Sequence, residues 1–195
     1  KTAHVDLDQM RTELTALLHY ARDGGLAREP KFSELPDEVT RTPRDIAFSG
    51  DGEPTMLPNF DACVQLVADV KRTEGLAETK IVLITDAAGL DTASVRRGLE
   101  IMDANQGEIW AKLDAGTPEY YRLINRSTIP FERILKNLLE TARARPIIIQ
   151  SLFPSISSAE PSAAEIEAYV GRLQQLQRDG AQIPLVQIYS ATRPT

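Results

Sequence analysis

The sequence is poor in the residues that bind metals and form disulfides. Among its 195 residues it has one cysteine, Cys63, and two histidines, His4 and His19. A single cysteine excludes an intramolecular disulfide and any metal site built from cysteines alone. Cys63 falls in a stripe with helical spacing, where we expect a buried small hydrophobe rather than a ligand. We therefore assign no metal ligand to this chain.

Long apolar runs and the common catalytic motifs are also missing. No run approaches the ~20 apolar residues needed to cross a bilayer, and the first residues have no signal-peptide hydrophobic region. We therefore expect a cytoplasmic protein without a membrane partner. The sequence has no Gly-x-Ser-x-Gly nucleophile elbow, no phosphate-binding P-loop and no His-Glu-x-x-His motif. No residue receives a catalytic role from a motif of this kind.

The charge balance is acidic, with 22 basic residues against 28 acidic ones and a net charge of -6. Such a surface repels a phosphate backbone over most of its area, so generic nucleic-acid binding is disfavoured. The 42% hydrophobic and 26% charged residues are ordinary for a globular chain. At this length we expect one domain over residues 1–195.

Short β-branched runs alternate with segments of helical spacing. The strand predictions are residues 45–49, 80–85, 108–114, 146–153 and 185–189. The helix predictions are residues 8–22, 60–74, 92–105, 131–145 and a last helix from Ser162 to about Gly180. This rhythm predicts an α/β fold with a parallel sheet, and the nearly continuous hydrophobicity of the runs predicts strands buried on both faces. Residues 24–43, with three prolines and many charges, predict an exposed, mobile connection.

The ends of the predicted strands carry the candidate site residues, because α/β barrels bind ligands there. The first run ends in a turn with Gly50, Gly52, Glu53 and Pro54, where the glycines allow a ligand to approach the backbone. Local chemistry alone favours a turn without a ligand. The following ends supply Thr85 and Asp86, then Lys112 and Asp114, which share a face because they are two residues apart. The last two ends supply Gln150 and Ser151, and Gln187 and Tyr189.

Taken in order, these strand ends resemble the radical S-adenosylmethionine (SAM) enzymes. Ser-Gly-Asp-Gly-Glu-Pro-Thr is similar to their Gly-Gly-Glu-Pro motif, with Asp51 in place of the first glycine, and Thr85-Asp86 stands where they often have Thr-Asn. The stretch 112–126 resembles a subgroup similar to wyosine-synthesis and cofactor-maturation enzymes. The resemblance implies a partial (βα) barrel and covers about residues 45–194.

The resemblance also implies a role for each strand end. Gly50, Gly52, Glu53 and Pro54 would contact the amino group of the SAM methionine, largely through backbone atoms, and Thr85 would lie near its carboxylate. Asp86 in place of asparagine would weaken that contact by charge repulsion. The other implied contacts are Lys112 and Asp114 with the ribose, Gln150, Ser151, Gln187 and Tyr189 with adenosine, and Asn125, Arg126 and Arg193 with substrate. The alternatives stay open: Lys112 and Asp114 as a buried ion pair, and Asn125 and Arg126 as caps of a short helix.

These enzymes hold a 4Fe-4S cluster on a Cys-x3-Cys-x2-Cys loop, which this sequence does not contain. In the family that loop follows the first barrel strand, so we expect the first strand and its loop to lie upstream of Lys1, and this chain alone to be inactive. The resemblance implies an electron donor such as flavodoxin or ferredoxin. A missing first strand would leave an open sheet edge beside the strand of Phe48 or its neighbour unless another chain covers it, and we expect dimerisation there.

Two other functions remain open. One is a cluster-free α/β barrel enzyme acting on a phosphorylated metabolite, with Lys112 and Asp114 as its acid–base pair. The other is a degenerate paralogue that keeps the scaffold and serves as a binding partner. The substrate of the leading candidate, small or macromolecular, is unknown.

Overall fold

The computed structural model describes residues 4–50, 52–155 and 160–189. The α-helices are α1 (Leu7–Arg22), α2 (Asp37–Arg41), α3 (Phe60–Thr73), α4 (Ala93–Asp103), α5 (Pro118–Asn125), α6 (Phe131–Ala144) and α7 (Ala163–Arg178). The strands are β1 (Asp45–Phe48), β2 (Lys80–Thr85), β3 (Gly107–Lys112), β4 (Ile148–Leu152) and β5 (Leu185–Tyr189). Short 3-10 turns occupy Leu26–Arg28 and Pro54–Met56. None of the helices in these ranges combines the length and the apolar character that crossing a membrane requires.

The described strands form a five-stranded parallel sheet in the order β1-β2-β3-β4-β5. Its register places Lys112 beside Gln150 and Gln150 beside Gln187. A strand order that follows the chain, with a helical connection between successive strands, is the arrangement of a partial βα barrel. The predicted α/β fold class is therefore confirmed.

By packing, the chain divides into two compact units. The first comprises Lys1–Phe48, Met56–Val82 and Ala93–Gly107, and its helices α1, α3 and α4 pack together. Leu18 of α1 and Leu66 and Val70 of α3 form one apolar cluster in this unit. Helix α1 begins at an Asp6 cap, whose carboxylate accepts from the backbone N–H groups of Asp8 and Gln9.

The second unit comprises Ser49–Thr55, Leu83–Thr92 and Glu108–Thr195. It contains β3, β4, β5 and helices α5, α6 and α7. Tyr121 of α5 packs on Phe131 of α6 with 5.1 Å between ring centroids, and Phe153 meets Tyr169 of α7 edge-on at 5.0 Å. Every described residue of the candidate site belongs to this unit, so its geometry follows from one packed body.

One prediction about burial is wrong. Strands β3 and β4 are not buried on both faces: Ile109, Ala111, Ile149 and Ser151 are buried, whereas the residues between them are only partly buried. Helices cover one face of each strand and the other face stays open, as in a barrel that does not close. The connection 24–43 is largely exposed, as predicted, and it holds α2 and a 3-10 turn and buries Thr40.

Candidate functional site

The loop after β1 depends on two glycines and one carboxylate. Gly50 and Gly52 have φ angles of 135° and 150°, which residues with a Cβ rarely adopt. The Glu53 carboxylate accepts hydrogen bonds from Thr55 N at 3.1 Å, Thr55 Oγ1 at 2.6 Å and Thr85 Oγ1 at 2.5 Å. Its other oxygen accepts from Asp86 N at 2.7 Å. Glu53 therefore ties the loops after β1 and β2 together, and its carboxylate is used inside the protein.

The loop after β2 is held in a strained conformation. Ala87 has a positive φ of 68°, which is costly for a residue other than glycine. Thr85 Oγ1 accepts from Ala87 N at 3.0 Å, and the buried Asn137 of α6 donates to Ala87 O at 2.8 Å. These bonds compensate for the strain and fix the position of Asp86 between Thr85 and Ala87.

Asp86 is the titratable group of this loop whose pKa departs most from its ordinary value. Asp86 is exposed as a residue, yet its carboxyl group is crowded by protein atoms. Its pKa is raised from 3.8 to about 6, mainly by desolvation and also by the charge of Glu53 and a hydrogen bond with the Glu53 side chain, while the Ala88 backbone N–H and the Lys112 charge act in the opposite direction. A fraction of the molecules therefore carries a protonated Asp86 near neutral pH.

A row of polar side chains crosses β3, β4 and β5 on the open face. Lys112, Gln150 and Gln187 are register partners, so their side chains share that face. Gln150 Nε2 donates to Gln187 Oε1 at 3.0 Å. The row one pleat below, Trp110, Ile148 and Leu185, is apolar. The face therefore has an apolar floor and a polar layer near the carboxyl ends of the strands.

Asp114 joins this row to the ends of its neighbours. Its Oδ1 accepts from Leu152 N at 2.8 Å, and its Oδ2 lies 3.4 Å from Asn125 Nδ2 and 3.7 Å from Lys112 Nζ. Asp114 is only 5% exposed. Within the described ranges Asn125 Oδ1 is a buried acceptor without a hydrogen-bond partner. Asp114 thus links the side chains of Asn125 and Lys112, and together they offer acceptor and donor groups that could bond a hydroxyl group.

The loop after β3 is clamped to α7 by Glu165, a residue whose role the sequence did not predict. The buried Glu165 carboxylate accepts from Gly116 N at 2.5 Å, from Thr117 N at 3.2 Å and from Thr117 Oγ1 at 2.6 Å. Arg172 Nε donates to Gly116 O at 3.0 Å. A Cβ at Gly116 would collide with the backbone of Ala168 and Tyr169, so only glycine allows this approach.

Not all predicted site residues reach the open face. The side chain of Ser151 is fully buried on the other face, where it bonds Leu113 O at 2.7 Å and Tyr169 Oη at 2.6 Å. A contact between Ser151 and a ligand on the polar row would therefore have to use its backbone. Arg126 is exposed and caps α5 in a left-handed conformation with a φ of 48°, and Tyr189 is 42% exposed on β5. Arg193, Pro194 and Asp51 lie outside the described residues.

The described side chains do not fit an iron–sulfur cluster. Cys63 is buried in α3, and burial raises the pKa of its thiol, as expected for a packed apolar residue. Over residues 4–50, 52–155 and 160–189, no group of three or more His, Cys, Asp or Glu side chains could hold a metal ion. The residues present therefore provide no ligand set for a cluster.

The open parallel sheet with polar strand ends defines the class of fold, a partial βα barrel. Within that class the chain is similar to the crystal structure of an archaeal TYW1, with a TM-score of 0.54 and 16% sequence identity. The alignment covers 88% of this chain and 53% of that chain, so the chain spans about half the length of its structural neighbour. No protein-family model and no curated protein matches the sequence. The likeness shows the fold.

Proposed function

We propose that this chain is the SAM-binding barrel core of a radical SAM enzyme. The observation that carries the proposal is the polar row of Lys112, Gln150 and Gln187, which continues into Asp114 and the loops after β1 and β2 at one end of the sheet. The fold supports it, because the similar structure, TYW1, is a radical SAM enzyme of wyosine synthesis. The substrate stays open.

The side-chain amides of Gln150 and Gln187, here called the amide pair, supply the adenine end of the proposed site. Because Gln150 Nε2 donates to Gln187 Oε1, the pair leaves one carbonyl oxygen and one amide group for a ligand. If both amides are turned over, the pair still presents one acceptor and one donor. An adenine edge offers the matching donor and acceptor, its exocyclic amine and the adjacent ring nitrogen. The apolar floor at Trp110 and Ile148 gives the flat base a surface to lie on.

The cluster around Asp114 supplies the ribose end. Asp114 Oδ2 and the orphaned Asn125 Oδ1 can each accept a hydrogen bond from a ribose hydroxyl, and Lys112 Nζ can donate to the ribose oxygens. Ligand binding would satisfy the buried Asn125 oxygen, whose desolvation otherwise costs ~1–3 kcal/mol. Asn125 and Arg126, at the end of α5, then stand next to the bound ribose and can contact a substrate.

The loop after β1, which contains Gly50 and Gly52, supplies the part of the proposed site that binds the methionine moiety of SAM. Since the Glu53 carboxylate already accepts four hydrogen bonds from the protein, we expect the loop to contact the ligand through the backbone of Gly50, Gly52, Glu53 and Pro54. The absence of a Cβ at Gly50 and Gly52 leaves their backbone open to such an approach, with no atom within 4 Å of the Cβ position. Glu53 is then a positioning residue.

A 4Fe-4S cluster would supply the electron that cleaves bound SAM to a 5′-deoxyadenosyl radical. This sequence, with Cys63 as its single cysteine, does not contain the ligands, so the part of this chain is to bind and orient SAM. An electron donor such as flavodoxin or ferredoxin belongs to the same proposal.

The Lys112–Asp114 ion pair favours one competing function, a cluster-free barrel enzyme that uses the pair on a phosphorylated metabolite. That enzyme would bind inorganic phosphate or a phosphorylated sugar at Lys112 and would not bind adenosyl compounds. A scaffold paralogue would bind neither. The ligand that binds therefore separates the three functions.

The test is S-adenosylhomocysteine binding to the full-length protein, measured by isothermal titration calorimetry. Lys112→Met removes a charged hydrogen-bond donor, and Gln187→Met removes one half of the amide pair. Each should weaken binding by about tenfold or more, since bonds of this kind contribute ~1–3 kcal/mol. Lys136→Met, on the exposed surface of α6, is the matched control and should bind as the wild type does. Saturation by inorganic phosphate without any binding of S-adenosylhomocysteine would contradict the proposal.

A further inference from the structure

Strand β5 lies at an edge of the sheet and has no protection against pairing with another chain. In the sheet that the structure describes, β5 pairs with β4 alone. Its residues, Leu-Val-Gln-Ile-Tyr, include no charged residue and no proline. Natural proteins commonly place such residues on an outer strand, because its unpaired N–H and C=O groups pair readily with another strand. β5 has neither.

The face of β5 opposite the open face, here called the outer face, is apolar and exposed. Ile188 is the register partner of Ser151, so the two side chains point to the same face. Ser151 is fully buried on that face and bonds Tyr169 of α7 at 2.6 Å. Ile188, by contrast, is 66% exposed. Helix α7 therefore packs over β4 and leaves Ile188 uncovered.

Helix α7 turns a second apolar surface toward β5. Arg172 donates to Gly116 O at 3.0 Å, and Gly116 also lies against the backbone of Ala168, so this flank of α7 faces the loop after β3. With 3.6 residues per turn, Ile166 and Val170 lie on the opposite flank. Because β3 and β5 lie on opposite sides of β4, that flank is on the β5 side, and both side chains are exposed.

We propose that β5 pairs antiparallel with β5 of a second copy of this chain, about a two-fold axis through Gln187. The pairing is self-complementary, as a two-fold contact requires. Val186 faces the partner's Ile188 on the outer face, and Leu185 faces the partner's Tyr189 on the open face. Both are pairs of apolar or aromatic side chains, which stabilise neighbouring strands. No like charges meet, because the strand carries none.

A second copy also covers the outer face, which a single added strand would not do. The β4 strands of the two copies are then three strand spacings apart, about 14 Å. Since α7 packs over β4 and packed helices lie ~8–10 Å apart, Ile166 and Val170 of each copy extend into the remaining gap. They cover Val186 and Ile188 there. One symmetric contact thus uses both the strand edge and the helix flank.

The test is disulfide cross-linking of Gln187→Cys under mild oxidation, read on a non-reducing gel. Residues directly opposite each other in an antiparallel pair have Cα atoms about 4.5–5.5 Å apart, within the ~4.4–6.8 Å that a disulfide spans. Gln187→Cys should therefore form a covalent dimer. The native Cys63 is buried in α3, so the wild type should not.

Leu185→Cys is the matched control on the same strand. In the proposed pairing the two copies of this position are four residues apart along the strands, about 14 Å, which is too far for a disulfide. Because Leu185 is more exposed than Gln187, random collisions would favour Leu185→Cys. The pairing should instead give at least about tenfold more covalent dimer with Gln187→Cys.

A mixture of Leu185→Cys and Tyr189→Cys is the second measurement, and it decides alone if Gln187→Cys does not fold. These two positions face each other across the axis, so the mixture should cross-link although neither variant does so by itself.

Equal cross-linking of Gln187→Cys and Leu185→Cys would overturn the inference. So would a mixture that cross-links no better than its components, or a wild type that sediments as a monomer at every concentration. The proposed function would survive each of these results, since none of the measurements involves a ligand.

Discussion

Three carboxylates determine where the backbone of the site lies. Glu53 accepts from Asp86 N, Asp114 from Leu152 N, and Glu165 from Gly116 N. In each case a side chain from one segment holds the main chain of another, and hydrogen bonds to an ionised acceptor are about twice as strong as neutral ones. The acidic residues at the strand ends are thus positioning residues as well as candidate ligand contacts.

Asp86 also affects the stability of the protein. Its pKa is raised from 3.8 to about 6 in the folded state, so the folded state holds the proton more tightly than the unfolded one. The stabilisation is fully present below pH 3.8 and is lost as the pH rises through about 6.

The asparagine of the Asp86→Asn variant cannot ionise, so this variant does not lose that stabilisation as the pH rises. We expect the melting temperature of Asp86→Asn minus that of the wild type to be larger at about pH 7.5 than at about pH 4.5. Differential scanning calorimetry at the two pH values measures this difference. Glu119→Gln, a carboxylate-to-amide change on the exposed surface of α5, is the control. A difference between variant and wild type that does not change with pH would show that Asp86 titrates as it does in the unfolded chain.

At the scale of elements, the loop after β3 and helix α7 form one unit. Gly116 lies so close to α7 that a Cβ would meet the backbone of Tyr169, and backbone cannot move aside as a side chain can. Gly116→Ala should therefore destabilise the fold by about 3 kcal/mol, the upper part of the usual range for overpacking. It should also weaken ligand binding, because the loop carries Asp114.

Gly171, in the middle of α7, provides the matched control. Its Cβ position has no atom within 4 Å, so Gly171→Ala should be neutral or stabilise by up to about 1 kcal/mol through helix propensity. Chemical denaturation of both variants measures the difference. Equal stabilities would mean that the loop can separate from α7 at no cost.

The sequence predicted the strands well because each is a compact β-branched run between turn residues. Residues 80–85 and 185–189 were predicted without error, and the other strand ends differ by one or two residues. The open face was not predicted, because whether a partner layer covers a strand is not encoded in that strand. The apolar run 146–153 suggested burial on both sides, whereas Ile148 and Leu152 are only partly buried.

Strand periodicity predicted only the part of the candidate site that lies on single strands. Two-residue spacing placed Lys112 and Asp114 on one face, and their ion pair follows. The role of Glu165 could not be predicted from a local pattern. Its spacing from Ser162 is that of a capping box, and Ser162 does cap α7. The Glu165 carboxylate, however, binds Gly116 and Thr117, which are 49 and 48 residues away. Only the tertiary structure brings those segments together.

At the scale of the whole molecule, the outer strands of the described sheet are β1 and β5. The self-association expected beside β1 stays a prediction. β5 has the more apolar surface, since Ile188 is 66% exposed and Leu185 is 48% exposed. An outer strand with exposed apolar side chains is a template for pairing with another chain.

Ile188→Lys places a charge on β5 of the kind that natural edge strands use against pairing. We expect the wild type to self-associate with rising concentration and Ile188→Lys to do so less, as measured by light scattering. Leu123→Lys removes a similarly exposed apolar side chain from α5 and should leave association unchanged. Identical association of the two variants would exclude β5 as the contact.

The carboxylate ties also have a consequence for the energetics of recognition. Because Glu53, Asp114 and Glu165 already hold the surrounding main chain, a ligand meets loops whose conformational entropy was lost when the chain folded. Its contact energy is then not consumed in ordering the protein. Such a site can be selective with few contacts, and it has little freedom to adapt to a differently shaped compound.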